Sequence, residues 1–219
     1  MASELGAVTT PIDPAGAEAR EGRRRILDRA AGLFLERGYA ATSLRHIAAA
    51  AGMKAGSLYY HFSSKEALLE AILLRGIEVM VDAFHQASAA SRDLDGRARV
   101  VAHVRAHLAA LFENGPYTAA HVTTFRTAPS AVRAAIVPAR DAYEALWTGL
   151  LEELAARGEL AADAPIGLSR LVLFGAMNSA VEWFDTGRGS LDAFALAITR
   201  QFWSGLADAN ALRSPERSG

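Results

Sequence analysis

The side chains best suited to chemistry lie close together, between residues 42 and 65. Thr42 and Ser43 place hydroxyls before a short helix, whose free N–H groups and dipole attract a phosphate. Ala51-Gly52 then forms a turn into a second helix that is small and polar at its start and aromatic at its end. Two short helices joined in this way predict a helix-turn-helix that places its second helix in the DNA major groove.

The polar and small residues of this segment are the predicted contacts with double-stranded DNA. Lys54 can reach a guanine edge or a phosphate, and the small residues after it allow close approach. Tyr59 and Tyr60 point about 100° apart on a helix, and Tyr60 should be the more exposed. Lys65 begins a helix, and the helix dipole makes that position unfavourable for a cation. A contact with a DNA phosphate explains the lysine better than a structural role does. The predicted DNA-binding residues are Thr42, Ser43, Arg45, Lys54, Ala55, Gly56, Ser57, Tyr59, Tyr60, His61 and Lys65.

Simple structural roles compete for several of these positions. One of the two hydroxyls should cap the first helix, with His46 rather than Glu at the third position and therefore no full capping box. Arg45 also fits a solvated arginine, and His61 fits either a phosphate donor or a helix C-terminal cap. Gly56 costs about 1 kcal/mol relative to Ala inside a helix. Close approach to DNA explains that glycine better than packing does.

The charge is unevenly distributed, although the net charge is only −1. Residues 20–75 carry ten basic and five acidic residues, and the remainder carries 13 basic and 19 acidic residues. A basic N-terminal segment on an otherwise acidic chain indicates a DNA-binding unit attached to a separate ligand or partner domain.

The absence of cysteine excludes disulfides, thiolate metal sites and a cysteine nucleophile. No apolar run approaches the ~18 residues that span a bilayer, and the N-terminus lacks a secretory signal, so we expect a cytoplasmic protein with no membrane partner.

The helices that must position these residues follow from the hydrophobic period. The sequence predicts an all-α fold, with a three-helix N-terminal helix-turn-helix domain over residues 20–66 and a C-terminal bundle of about six helices over residues 67–208. Residues 1–19 and 209–219 are predicted to be disordered tails. Pro138 should kink or break one helix of the bundle.

The C-terminal bundle is the predicted ligand-binding and dimerisation domain. Ligand sites are apolar cavities with a few polar groups, and the candidate lining residues are Phe84, His103, His107, His121, Phe125, Trp147, Met177 and Asn178. Each of them also fits an ordinary core position. His103 and His107 have the i, i+4 spacing of a helical metal site, but no Glu lies between them. We therefore expect neither a metal nor a cofactor.

A single helix-turn-helix contacts too few base pairs to be specific, so a two-fold homodimer is expected. Its surface should be apolar and helical, which points to the last two helices of the chain. The predicted interface residues are Phe174, Val181, Phe194, Ile198, Phe202 and Trp203, with Leu171 and Trp183 on the same helices.

A stretch of about 50 residues, roughly 20–72, resembles the TetR family of bacterial transcriptional regulators. The residues that carry the resemblance are Phe34, Gly38-Tyr39, Thr42-Ser43, Ile47-Ala48, Ala51-Gly52, Gly56 to Phe62, Lys65 and Leu68. The resemblance implies a dimeric repressor that binds a palindromic operator and is released by a small, largely apolar effector. The stretch around Trp183-Phe184 and Gly187-Arg188-Gly189 is similar to members that respond to acyl-CoA or other lipid-derived effectors.

Two other functions remain as alternatives to a ligand-responsive regulator. A constitutive DNA-binding protein would need no effector, although the large C-terminal part exceeds what dimerisation requires. An enzyme is not expected, because the Gly-x-Ser-x-Gly elbow on a strand, the phosphate-binding loop and the dinucleotide fingerprint are all missing.

Overall fold

The regular structure of the chain is entirely helical over residues 14–161 and 163–207, which the computed structural model describes. The predicted all-α class, with three N-terminal helices and six that follow, is confirmed. No helix within these ranges is long and apolar enough to cross a membrane. The helices are α1 (Pro14–Arg37), α2 (Leu44–Ala50), α3 (Ala55–His61), α4 (Lys65–Ala90), α5 (Gly96–Phe112), α6 (Pro116–Thr124), α7 (Ser130–Ala156), α8 (Ile166–Trp183) and α9 (Leu191–Ala207), with a 3₁₀ turn at Phe125–Thr127 after α6.

The first helix begins earlier than the sequence predicts. Residues 14–19, expected in a disordered tail, form the first turns of α1. Proline is well suited to the first helical position because its φ is already helical, and the alanines and Glu18 that follow favour a helix. Residues 1–13 and the tail expected over 209–219 lie outside the described residues.

The first three helices share one small core. Gly38 ends α1 with φ 78° and Gly52 makes the turn after α2 with φ 66°, conformations that glycine adopts without steric cost. Side chains from all three helices meet inside and are almost fully buried, and they include Ile26, Phe34, Ile47, Leu58 and Phe62. This core fixes which face of α3 is left on the surface.

The start of α2 differs from the prediction in its capping. Ser43 Oγ accepts a hydrogen bond from the His46 N–H at 3.2 Å, and the Ser43 N–H donates to His46 Nδ1 at 3.5 Å. The capping box is therefore complete, and the prediction of an incomplete one is wrong. An imidazole nitrogen supplies the acceptor that a Glu carboxylate usually provides. Ser64 caps α4 by accepting from the Ala67 N–H at 3.0 Å.

Pro138 does not break α7, so the break that was one of the two predicted outcomes does not occur. The helix runs without interruption from Ser130 to Ala156. Pro138 and Ala134, whose carbonyl loses a helical hydrogen bond, are both exposed, so water can satisfy that carbonyl. The opposite face of α7 is buried and stabilises the helix through packing.

Helix α4 connects the N-terminal domain with the bundle, and α6 is fastened to it. A Cβ on Gly76 would lie 2.7 Å from the Tyr117 carbonyl oxygen, so glycine is what permits this close crossing. Thr118 Oγ1 donates to the Gly76 carbonyl at 3.2 Å, and His121 Nδ1 donates to the Leu73 carbonyl at 3.0 Å. A displacement of α6 must therefore act on α4.

Candidate DNA interface and ligand cavity

The surface of α3 is rich in small, polar and aromatic side chains that face solvent. Tyr60 is 82% exposed and Tyr59 is 57% exposed, which confirms the predicted order, whereas Leu58 between the small residues and the tyrosines is fully buried. Lys54, Ala55, Gly56 and Ser57 at the start of the helix are exposed as well. The Tyr60 ring meets only the edge of the neighbouring His61 ring, with centroids 5.2 Å apart, and most of its surface stays in solvent. Two large exposed aromatic rings on one short helix indicate a contact site for another molecule.

Gly56 is not required by the packing of this domain. A Cβ built on it meets no atom within 4 Å, yet glycine in a helix costs about 1 kcal/mol relative to alanine. The internal contacts of the chain leave this glycine unexplained. A surface that another molecule approaches closely accounts for it.

Lys65 is held in place by Tyr39, a residue that the sequence reasoning did not assign to the site. Lys65 Nζ lies 4.1 Å from the centroid of the Tyr39 ring, and the Tyr39 hydroxyl donates to Glu66 Oε1 at 3.0 Å. Burial lowers the pKa of Lys65, whereas burial and then the Glu66 hydrogen bond raise the pKa of Tyr39 to about 12. The signals for Tyr39 in the sequence were its position directly after the glycine that ends α1 and its place among the residues that carry the family resemblance.

Thr42 does not belong to the exposed surface, which corrects its assignment as a DNA contact. Its side chain is 1% exposed, and Oγ1 donates to the Gly38 carbonyl at 2.9 Å. The hydroxyl stabilises the turn between α1 and α2 and is unavailable to a phosphate. Ser43 and Arg45 are exposed at the start of α2.

His61 lies at the junction of α3 and α1. A Cβ on Gly22 would lie 3.1 Å from His61 Nε2, so the glycine makes room for the half-buried imidazole.

No acidic residue occurs between Glu36 and Glu66, while Arg37, Arg45, Lys54 and Lys65 fall within that interval or border it. The surface formed by α2, α3 and the start of α4 is therefore cationic, as phosphate contacts require.

A separate cavity of about 360 Å³ lies among α4, α6, α7 and α8, within the range typical of small-molecule sites. Its apolar walls include Ile77, Met80, Phe125 and Phe174. Its polar lining includes His121, Arg140, Tyr143, Glu144, Asn178 and Glu182. Two of these lining residues, Ile77 and Met80, belong to α4. They lie roughly 18–22 Å along that helix from Lys65, at a rise of about 1.5 Å per residue.

Only part of the predicted ligand site borders this cavity. His121, Phe125 and Asn178 line it, whereas Phe84, His103, His107, Trp147 and Met177 do not. These five are buried, and several pack as an aromatic layer in which the Phe84 and His103 ring centroids are 4.5 Å apart. The helical period identifies inward-facing residues, but it does not distinguish the filled layer from the wall of a void.

The histidine pair that resembled a metal site is engaged in hydrogen bonds. His103 Nδ1 bonds the Arg99 carbonyl at 2.7 Å and Nε2 bonds Ser88 Oγ at 2.8 Å. His107 Nδ1 bonds the Tyr143 hydroxyl at 2.8 Å and Nε2 bonds Asn178 Oδ1 at 3.0 Å. Both rings are therefore part of the supporting structure behind the cavity.

Burial controls the charge of the histidines around the cavity. It lowers the pKa of His107 and of His121 to about 4, and it also lowers the pKa of His103. The three rings are consequently neutral at pH 7. A neutral ring with one N–H already donated presents a lone pair on its other nitrogen.

One predicted interface residue, Ile198, is buried inside the subunit at 8% exposure. Phe174 lines the cavity, with its ring centroid 5.7 Å from those of Tyr143 and Trp147. Its side chain is half-buried, as are those of Val181, Phe194, Phe202 and Trp203. Among the side chains of α8 and α9 that the structure describes, the large apolar ones left exposed are Leu168, Leu171, Val172, Trp183 and Leu196.

Two family models match the chain. The model of bacterial regulatory proteins of the tetR family matches residues 26–72, which cover α2, α3 and the adjoining parts of α1 and α4. The model of the tetracyclin repressor-like C-terminal domain matches residues 93–206, and so includes the helices α7 and α8 that border the cavity.

Individual proteins match over nearly the whole chain. The HTH-type transcriptional repressor KstR2 of Rhodococcus jostii is 31% identical over 208 residues, covering 94% of this chain and 98% of that protein. The regulator PfmR of Thermus thermophilus superposes with a TM-score of 0.72 at 26% identity, over 82% of this chain and 97% of that one. AibR, solved with isovaleryl coenzyme A and operator DNA, shares the fold with a TM-score of 0.69 at 24% identity, over 85% and 98%.

Proposed function

The chain belongs to the TetR family of bacterial transcriptional regulators, and on that basis we propose that it is a repressor. In this proposal a homodimer binds a palindromic operator in the cytoplasm and leaves it when a small, largely apolar effector fills the cavity. The observation that carries the proposal is the pairing of an exposed cationic surface, formed by α2, α3 and the start of α4, with a separate cavity that α4 also lines.

The DNA contacts in this proposal come from the exposed residues around α3. Lys54, Tyr60 and His61 face the groove or its backbone, and Lys65 binds a phosphate from the start of α4. Few of these side chains can form bidentate contacts with bases. Specificity therefore depends partly on DNA shape and deformability.

The dimer in this proposal forms through α8 and α9. The exposed Leu168, Leu171, Val172 and Trp183 give α8 an apolar surface of the kind that isologous interfaces bury. A two-fold arrangement of these helices places two α3 helices at one operator, and their separation must match the spacing of the half-sites.

The effector acts in this proposal by displacing α6 and α4. His121 of α6, Phe125 of the 3₁₀ turn after α6 and Ile77 of α4 border the cavity. Helix α6 also donates hydrogen bonds to two α4 carbonyls. A ligand that fits only one arrangement of these helices changes the separation of the two DNA-binding domains. Effector and operator then reduce each other's affinity by the same factor. AibR, solved with isovaleryl coenzyme A and operator DNA, is a precedent for a protein of this fold that binds both a small molecule and an operator.

The first experiment is selection of bound duplexes from a random pool at two salt concentrations. Recovery of a palindrome, bound by the wild type and weakened at least tenfold by Tyr60→Ala, supports the proposal. Arg92→Ala is the matched control, because Arg92 is exposed beyond the far end of α4, about 39 Å from Lys65.

Recovery of sequence-independent, salt-sensitive binding alone would contradict an operator-specific repressor. A palindrome whose affinity no small molecule changes, with no thermal stabilisation by ligands, would instead favour a constitutive DNA-binding protein.

A further inference from the structure

The polar groups around the cavity are restricted in what they can offer a ligand. His121 donates its Nδ1–H to the Leu73 carbonyl, which can only accept, and the buried ring is neutral. Its Nε2 therefore carries a lone pair, and no hydrogen bond to Nε2 occurs within the part of the chain that the structure describes. Because the Nδ1 edge is turned towards α4 and the ring lines the cavity, His121 presents an acceptor to the ligand.

The Asn178 amide presents the opposite character. Its Oδ1 lies 3.0 Å from His107 Nε2, and because an amide oxygen only accepts, Nε2 must donate. The neutral His107 then accepts the Tyr143 hydroxyl proton at Nδ1, over 2.8 Å. This network leaves the Asn178 NH₂ as a donor to the cavity.

A positive charge borders the same cavity as this donor. The Arg140 guanidinium lies 4.3 Å from the Phe125 ring centroid and 3.4 Å from Glu144 Oε1. Glu144 also pairs with Arg170 through its other oxygen, so one carboxylate serves two guanidinium groups. The cluster retains one positive charge. Arg126 and Glu182 are exposed and also border the cavity, and their opposite charges cancel in the net charge of its lining.

We propose that the cavity binds a compact amphipathic hydroxy acid. Its rigid apolar body packs against Met80, Phe125 and Phe174, its carboxylate accepts from Arg140 and Asn178, and its hydroxyl donates to His121 Nε2. The volume of about 360 Å³ suits a small ring system rather than a long chain. This inference rests on the proposed function, since it specifies the ligand of the same cavity.

Three rigid probes of one skeleton test it by calorimetry on the full-length protein: 6-hydroxy-2-naphthoate, 2-naphthoate and 2-naphthol. The hydroxy acid should bind about tenfold more tightly than 2-naphthoate, which lacks the hydroxyl, and at least tenfold more tightly than 2-naphthol, which lacks the carboxylate. His121→Phe should equalise the hydroxy acid and 2-naphthoate. Arg140→Gln should markedly reduce the preference for the hydroxy acid over 2-naphthol, because the carboxylate then loses its cationic partner and keeps only amide donors. Arg97→Gln, which changes an exposed arginine away from this cavity, should preserve both preferences.

The proposal is overturned if the hydroxy acid binds no more tightly than either single-group probe, or if none of the three binds. Binding only by 2-naphthoyl-coenzyme A, which lacks the free carboxylate, also overturns it. If His121→Phe does not fold, the Arg140→Gln comparison decides alone. Anisotropy with the selected operator, measured without any probe, separates the two failures. A protein that binds the operator but ignores the probes contradicts only this inference.

Discussion

The hydroxyl of Tyr117 in α6 donates a hydrogen bond of 2.5 Å to Asp28 Oδ1 in α1. This contact joins the helix that borders the cavity to the first helix of the DNA-binding domain. Burial raises the pKa of Tyr117 above its usual value, so the hydroxyl remains protonated and donates at neutral pH. The same helix holds α4 through Thr118 and His121. Helix α6 is thus in contact with every part that the proposed switch has to move.

Tyr117→Phe removes this hydrogen bond while keeping the ring in place. We expect a loss of about 1–3 kcal/mol in the free energy of unfolding, since the acceptor is a carboxylate. Urea denaturation measures it. Tyr60→Phe is the matched control, because that tyrosine is 82% exposed, and it should change stability by less than about 0.5 kcal/mol. Equal effects of the two substitutions would show that the contact with Asp28 is unimportant.

Gly56→Ala should make the protein more stable and a poorer DNA binder. The added methyl meets no atom of the chain, and alanine favours the helix by about 0.5–1 kcal/mol. Gly149→Ala, at an exposed and equally open position of α7, should give the same stabilisation without affecting operator affinity. Thermal melts and DNA anisotropy measure the two effects. Unchanged affinity in Gly56→Ala would exclude close approach to DNA at this position.

Lys65→Ala should weaken operator binding and reduce its salt dependence. Each neutralised phosphate adds about 0.9 to the slope of log affinity against log salt concentration, so the slope should become shallower by roughly that amount for every phosphate that Lys65 binds. Arg92→Ala should leave the slope unchanged. If Lys65→Ala lowers affinity at an unchanged slope, the lysine acts by holding Tyr39 rather than by binding a phosphate.

Val172→Glu should dissociate the proposed dimer, because it places a charge in the exposed apolar surface of α8, where Val172 is 61% exposed. Val137→Glu makes the same change on α7, at a position 41% exposed, and should have no effect. Sedimentation velocity gives the masses. A dimer that survives Val172→Glu with unchanged affinity would place the interface elsewhere.

The buried histidines should make the protein sensitive to mild acid. The pKa values of His107 and His121 are about 4 in the folded chain, below the ordinary 6.5, so the unfolded chain binds protons first as the pH falls. Their stabilising effect is complete above pH 6.5 and is lost towards pH 4. Within that window, each of the two rings lowers the free energy of unfolding by about 1.4 kcal/mol for every unit that the pH falls.

Denaturation at several values between pH 5 and 6.5 measures this slope while the carboxylates remain ionised. His107→Gln should make the slope shallower, whatever its effect on absolute stability. His85→Gln, which changes an exposed histidine, is the control. A slope that is the same in both variants and the wild type would contradict the assignment.

The DNA-binding domain was largely predictable because its determinants are local. Each determinant lies within a few residues of the structure that it specifies. These determinants are the glycines at 38 and 52, the helical repeat of apolar residues and the serine caps. Even so, the sequence did not show that Thr42 turns inward or that His46 completes a capping box. Both depend on where a side chain finds its partner.

The amino-acid sequence by itself determined the all-helical class, the positions of the helices and the exposed composition of α3, since these follow from period, propensity and turn chemistry. Tertiary structure alone decided which buried side chains border the cavity. Phe84, His103 and Trp147 have the same helical pattern as His121 and Asn178, yet they fill the core while the latter face the void. The reason is that a cavity is defined by where helices distant in sequence fail to meet. Packing between α4, α6, α7 and α8, rather than any local pattern, sets that gap.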